Sequence, residues 1–179
     1  MVGGDSINTE TDKQKPIHFK GELKRLLIKI AIIIVVFICL FTFVFGLFQN
    51  SDNAMSPAVN NGDLVLYYRL DKDYKANDVI VVNYNSENQI RRVIAVAGDE
   101  VDITSEGLVI NGSLQNESKI YRETLAYSEG ITFPVTVKEG EVFVLGDDRY
   151  NAIDSRIYGC VKISDTKGTL ITILRRSGF

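Results

Sequence analysis

The chain has 179 residues, 45% hydrophobic and 24% charged, with a net charge of −3, one histidine and two cysteines. A domain averages roughly 100–200 residues, so this is one globular domain with an appendage, and the acidic balance offers no broad basic surface to nucleic acid. His18, Cys39 and Cys160 are too few for a zinc cluster; no metal or cofactor is expected, and a hydrolase built on a domain histidine is excluded because His18 precedes the apolar run.

That run, Ile30–Phe48, is 19 residues without a charge, close to the roughly 20 needed to cross a bilayer. A cleaved signal peptide would have a core of about 7–15 residues before a small-x-small site, whereas this run leads into Gln49-Asn50-Ser51-Asp52-Asn53. The expected organisation is a tail over residues 1–25, an uncleaved transmembrane anchor over 26–49 and an exported domain over 50–179. Lys20, Lys24, Arg25 and Lys29 crowd the start of the run, which by the positive-inside rule keeps the N-terminus cytoplasmic in a single-pass cell-membrane protein. From residue 50 onward there are 14 basic and 19 acidic side chains, and Cys160 has no partner for a disulfide in that part. This suits a bacterial cell surface better than a disulfide-stapled secreted domain.

Beyond the anchor, period-2 and β-branched stretches at Leu64–Leu70, Val79–Tyr84, Gln89–Ala97, Leu108–Ile110, Glu141–Leu145 and Gly168–Leu174 predict strands. Gly62-Asp63, Gly98-Asp99, Asn111-Gly112 and Gly146-Asp147 supply the turns. Short strands without intervening helical periodicity predict a mainly β fold, an antiparallel barrel or coiled pair of sheets. The polar stretch from Asn116 to Thr136 reads as an excursion between two later strands.

Each Gly-Asp pair alone is a common turn; their order and setting carry more. Ala54-Met55-Ser56-Pro57 follows the anchor, Gly62-Asp63 opens a strand, Arg91-Arg92-Val93-Ile94 leads to Gly98-Asp99, and Gly146-Asp147-Asp148-Arg149 is followed by Ala152-Ile153-Asp154-Ser155-Arg156. This series resembles the bacterial type I signal peptidases of family S26. Their boxes read Ser-Met-x-Pro, Gly-Asp, Lys-Arg-x-x-Gly-x-x-Gly-Asp and Gly-Asp-Asn-Arg-x-x-Ser-x-Asp-Ser-Arg. The resemblance implies a single membrane helix followed by a signal-peptidase-like antiparallel β domain. It also implies proteolysis of exported proteins by a serine nucleophile and a neutral lysine base, a variant of the triad logic in which burial lowers the lysine pKa.

The match fails at the dyad. Ala54 stands where the serine belongs and has no oxygen to attack a carbonyl; Arg91 stands where the lysine belongs, and a guanidinium does not shed its proton. Ala152 replaces the serine that orients the lysine in the family. Ser56 is a substitute nucleophile only on poor terms, because an i+2 residue of an extended strand lies roughly 6–7 Å away, far beyond near-attack tolerance. Met55, Pro57, Arg92, Gly146, Asp147, Arg149, Asp154, Ser155 and Arg156 survive as support for such a site, or as ion pairs and turns that hold the fold. Arg91 and Arg92 are strand neighbours and face opposite ways; by resemblance Arg91 points into the cleft and Arg92 outward.

The segments Met55–Val59, Leu64–Leu70 and Asp154–Gly159 are similar to the SipA-type signal-peptidase-like proteins of Gram-positive pilus loci. These also lack the dyad and are thought to assist pilus assembly. The resemblance thus implies a non-proteolytic factor whose partners are exported proteins, pilin precursors among them, and membrane lipid. An active peptidase with atypical residues and a membrane-tethered β binding module are the alternatives. Apolar residues beside the anchor, including Met55, fit a membrane-dipping edge as well, and Leu174-Arg175-Arg176 is expected to contact lipid headgroups.

Overall fold

A computed structural model describes residues 19–118 and 120–175, which fall into two compact units divided between Ile38 and Cys39. The predictions that rest on His18 and Arg176 lie outside the described residues. The first unit holds most of helix α1, Phe19–Cys39, and a π-helical turn over Leu40–Val44 continues it. Together they make a stretch, Gly21–Val44, long and apolar enough to cross a membrane; at 1.5 Å per residue it spans about 36 Å, more than a hydrocarbon core of ~30 Å.

The helix was expected to run to residue 49, but Phe45–Gln49 form strand β1, paired antiparallel with β2, Leu64–Tyr68. An apolar run does not itself distinguish a helix end from a buried strand. Pairing with residues 64–68 decides it, and Gly46 permits it: a Cβ there would collide with the Tyr67 ring.

The remaining strands are β3 Val79–Tyr84, β4 Glu87–Val96, β5 Glu100–Thr104, β6 Gly107–Ile110, β7 Ser113–Leu114, β8 Val135–Thr136, β9 Glu141–Leu145, β10 Val161–Lys162 and β11 Thr166–Leu174; the one-turn helix α2 is Ser155–Tyr158. They build a seven-stranded sheet, β1-β2-β11-β3-β4-β9-β10, and a four-stranded sheet, β7-β6-β5-β8. Every pairing is antiparallel. The fold is mainly β, and the stretch from Asn116 to Thr136 is irregular apart from β8. Asn111 and Gly112 both take positive φ, 51° and 75°, the geometry of a two-residue hairpin between β6 and β7.

β4 is the spine of the larger sheet, flanked by β3 over Glu87–Arg92 and by β9 over Arg92–Val96. A bulge at Ile94 lets both faces be buried in turn. Val93 packs with Ile80, Val82, Val142 and Val144, while Ala95 packs with Val101, Leu108, Phe143 and Leu145. A third cluster joins Met55, Val59, Val65 and Ile90.

Met55, expected at a membrane-dipping edge, is therefore core, and Tyr67 is buried as well. Apolar side chains exposed on the β unit include Leu47, Leu70, Leu114, Leu125, Ile153, Ile171 and Leu174, Ile171 being the residue that bulges from β11. Arg175 does not stand free for lipid. Its guanidinium donates to the buried Asp63 carboxylate, Nη2 at 2.9 Å, and to the Ala58 carbonyl.

The Arg175 bond, and then the Asn60 N–H, hold the Asp63 carboxyl below the usual carboxylate range. A carboxyl depressed in the folded state contributes stability above its ordinary pKa of 3.8 that is lost as pH falls through the lower folded value. Arg175→Ala should therefore move the midpoint of acid unfolding to higher pH, followed by circular dichroism; an unmoved midpoint would show that the pair does not contribute.

Candidate functional site

After β1 the chain enters a series of turns closed by Ser56 N–H to Asn53 carbonyl and Val59 N–H to Met55 carbonyl, each at 2.9 Å. Residues 54–56 are thus not the extended strand that the sequence suggested, because these local hydrogen bonds outcompete any sheet partner. Ala54 is buried. Its N–H donates to Asp52 Oδ1 at 3.3 Å, and its carbonyl accepts the Asp148 N–H at 2.9 Å. Gly146 stands against this segment: a Cβ at 146 would overlap both the Ala54 carbonyl oxygen and the Ala152 methyl. Only glycine admits that approach, which brings positions 54 and 152 together.

Arg91 sits on β4 opposite Ile80 and is 1% exposed. All five of its N–H groups are used. Nε and Nη2 donate to the Ile153 carbonyl at 3.0 and 2.8 Å, Nη2 to Gln89 Oε1 at 3.1 Å, and Nη1 to the Ile90 carbonyl at 2.6 Å and Asp52 Oδ2 at 3.0 Å. The Asp52 carboxylate therefore bridges the Ala54 amide and the Arg91 guanidinium, so the two positions that match the family's nucleophile and base share one ligand. Arg91 does not line an open cleft, contrary to expectation. A buried guanidinium left with free donors would be costly, and the chain has satisfied each of them.

The accessible member of the pair is Arg92. Its guanidinium grips Asp147 in a fork, Nε to Oδ1 at 2.8 Å and Nη2 to Oδ2 at 2.6 Å, and donates to the Asn77 carbonyl. That fork, acting against burial, raises the guanidinium pKa further. Arg92 borders a cleft of about 680 Å³ with Asp147, Arg149, Ile94, Leu108 and Glu117.

Arg149, also buried, donates to Thr124 Oγ1 and the Gly146 carbonyl, each at 2.8 Å, and to the Glu117 carboxylate. The excursion is thereby tied to the Gly-Asp-x-Arg turn. Asp154 caps α2 and is fully buried. Its carboxylate accepts from Arg156 Nε at 2.9 Å, Arg156 Nη2 at 2.8 Å, and the N–H groups of Arg156 and Gly146. Ser155 Oγ accepts the Val144 N–H, and Arg156 also stacks on Tyr127, 4.5 Å from the ring centroid.

With this arrangement in view, the chain was compared with known proteins. A family profile for signal peptidase, peptidase S26, matches residues 23–174. The chain belongs to the S26 signal peptidase family. It is similar to signal peptidase I of Bacillus caldolyticus, 31% identical over 140 residues that cover 70% of this chain and 77% of that one. It is also similar to signal peptidase I of Bacillus licheniformis, 27% identical over 155 residues, 80% of this chain and 83% of that one. A crystal structure of a signal peptidase I from Enterococcus faecalis aligns with a TM-score of 0.44 at 29% identity, covering 55% of this chain and 97% of that one.

In this S26 homologue Ser56 borders a smaller cavity of about 300 Å³ with Pro57, Tyr121, Arg122, Asp147 and Asp148; among the described residues no lysine lines it to serve as base. Near Arg91 lies the Tyr158 hydroxyl, buried without a hydrogen-bond partner, its phenol pushed up chiefly by burial, which outweighs the lowering effect of Arg91. Sequence reading missed Asp52, Gln89, Thr124 and Glu117. Asp52 alone carried a local signal, an acidic residue two positions before Ala54 able to accept its N–H. Glu117 lies 32 residues from Arg149 in an unpatterned segment.

Proposed function

We propose that this signal peptidase homologue binds exported proteins at the membrane surface without cutting them, acting as an assembly factor or chaperone for clients such as pilin precursors. One observation carries the reading: the two positions that correspond to the dyad hold a methyl group and a fully hydrogen-bonded guanidinium, both buried. No oxygen there attacks a carbonyl and no group there accepts its proton. The anchor begins near residue 26. Its basic N-terminal flank favours a cytoplasmic N-terminus, so the β domain meets clients as they emerge. The SipA-type resemblance of Met55–Val59 and Asp154–Gly159 supports the pilus role.

The test is incubation of the purified chain with a signal-peptide substrate and a pilin precursor across the pH range, followed by mass spectrometry. Both should stay intact at every pH. Cleavage that Ser56→Ala abolishes would replace this reading with that of an active peptidase.

A further inference from the structure

We propose that Arg91 and the Ala54 amide form a carboxylate-binding site whose resident occupant is Asp52, and that a carboxylate of a client polypeptide, its chain end or an acidic side chain, displaces it. This rests on the non-proteolytic reading above, since it assigns that same site a ligand rather than a substrate. Among the described residues whose groups Arg91 touches, only Asp52 carries negative charge; Ile153, Ile90 and Gln89 offer neutral oxygens. A buried cation needs an anion, and removing one is costly because the charge left behind has no solvent.

Asp52 is the replaceable ligand. Its side chain is 32% exposed while that of Arg91 is 1% exposed, so the carboxylate forms the outer end of the pair. The neutral acceptors are peptide carbonyls and a side chain of β4 itself. An incoming carboxylate has the same two oxygens, one for Arg91 Nη1 and one for the Ala54 N–H. The methyl groups of Ala54 and Ala152 leave no hydroxyl to compete with it. Because Asp52 is tethered beside the site, it acts at an effective concentration of about millimolar or higher. A free ligand therefore binds the wild-type protein weakly and gains once Asp52 is removed.

The experiment uses the full chain in neutral detergent, as wild type and as Asp52→Ala. The probes are a short apolar peptide as the free acid, the same peptide amidated, and an amidated version with one internal aspartate, followed by calorimetry with mass spectrometry of each mixture. Asp52→Ala should bind the free acid about tenfold or more tightly than the amide, and tighter than wild type by a similar factor. Equal affinity for acid and amide with the peptide intact would overturn the carboxylate site. Affinity for the internal-aspartate peptide matching that for the free acid would assign the site to acidic side chains as well, and affinity no better than the amide's would assign it to the chain end. A shortened peptide would instead overturn the non-proteolytic reading. Should Asp52→Ala unfold too readily for titration, acetate decides: it should raise the thermal midpoint of Asp52→Ala more than that of wild type, and equal rises would overturn the site.

Discussion

Asp154→Ala will destabilise the β unit by about 3–5 kcal/mol, the usual cost of breaking a buried ion pair by removing one partner. The Asp154 carboxylate takes four hydrogen bonds, from Arg156 Nε and Nη2 and from the amides of Arg156 and Gly146, all buried. Its loss leaves a guanidinium that is 1% exposed with no counter-charge and strips α2 of its N-cap. Against a total stability of about 5–15 kcal/mol for a domain, that is a fifth or more. Denaturant titration of the anchored chain in detergent measures it. Asp154→Asn, which keeps the shape and some of the acceptor capacity, should lose less than Asp154→Ala. A loss below about 1 kcal/mol would place the pair with the surface bridges that contribute little.

The second large effect concerns restored proteolysis. Ala54→Ser, Arg91→Lys and Ala152→Ser together return an oxygen, an amine and an orienting hydroxyl, yet this triple variant should remain nearly inactive near neutral pH. Asp52, which now contacts Arg91 at 3.0 Å, would face the introduced amine, and a nearby carboxylate favours the charged form. The lysine would stay protonated and useless as a base. Adding Asp52→Asn removes that charge and should raise cleavage of a signal-peptide substrate by about 10²-fold or more, the range that a general base supplies. It should also shift the acidic limb of the pH–rate profile, which the base controls, to lower pH. Single-turnover assays read both. Identical profiles for the triple and quadruple variants would show that Asp52 does not control the site, and inactivity of both would mean that positions 54 and 91 do not correspond to the family's dyad.

The amino-acid sequence alone determined which chemistry is absent and much of the secondary structure. The lack of an oxygen at 54 and of a proton-shedding amine at 91 are properties of residue type. Strand patterning is equally local: Val79–Tyr84 and Glu141–Leu145 are strands with the predicted bounds, because alternation and flanking turns are legible within a few residues. The order of the boxes likewise sufficed to indicate the family.

Tertiary structure decided where the apolar run stops being helix, since that depends on Phe45–Gln49 finding Leu64–Tyr68. It also decided which of the two adjacent arginines is sealed. Alternation places Arg91 and Arg92 on opposite faces, but nothing in a period of two says which face will be covered. The partners that cover Arg91 lie 39 and 62 residues away, at Asp52 and Ile153, and no local pattern says that either will reach it. Burial and hydrogen-bond satisfaction are sums over contacts distant in the chain, so they emerge only when the sheet, the turn after the anchor and the Gly146–Arg156 loop are packed against one another.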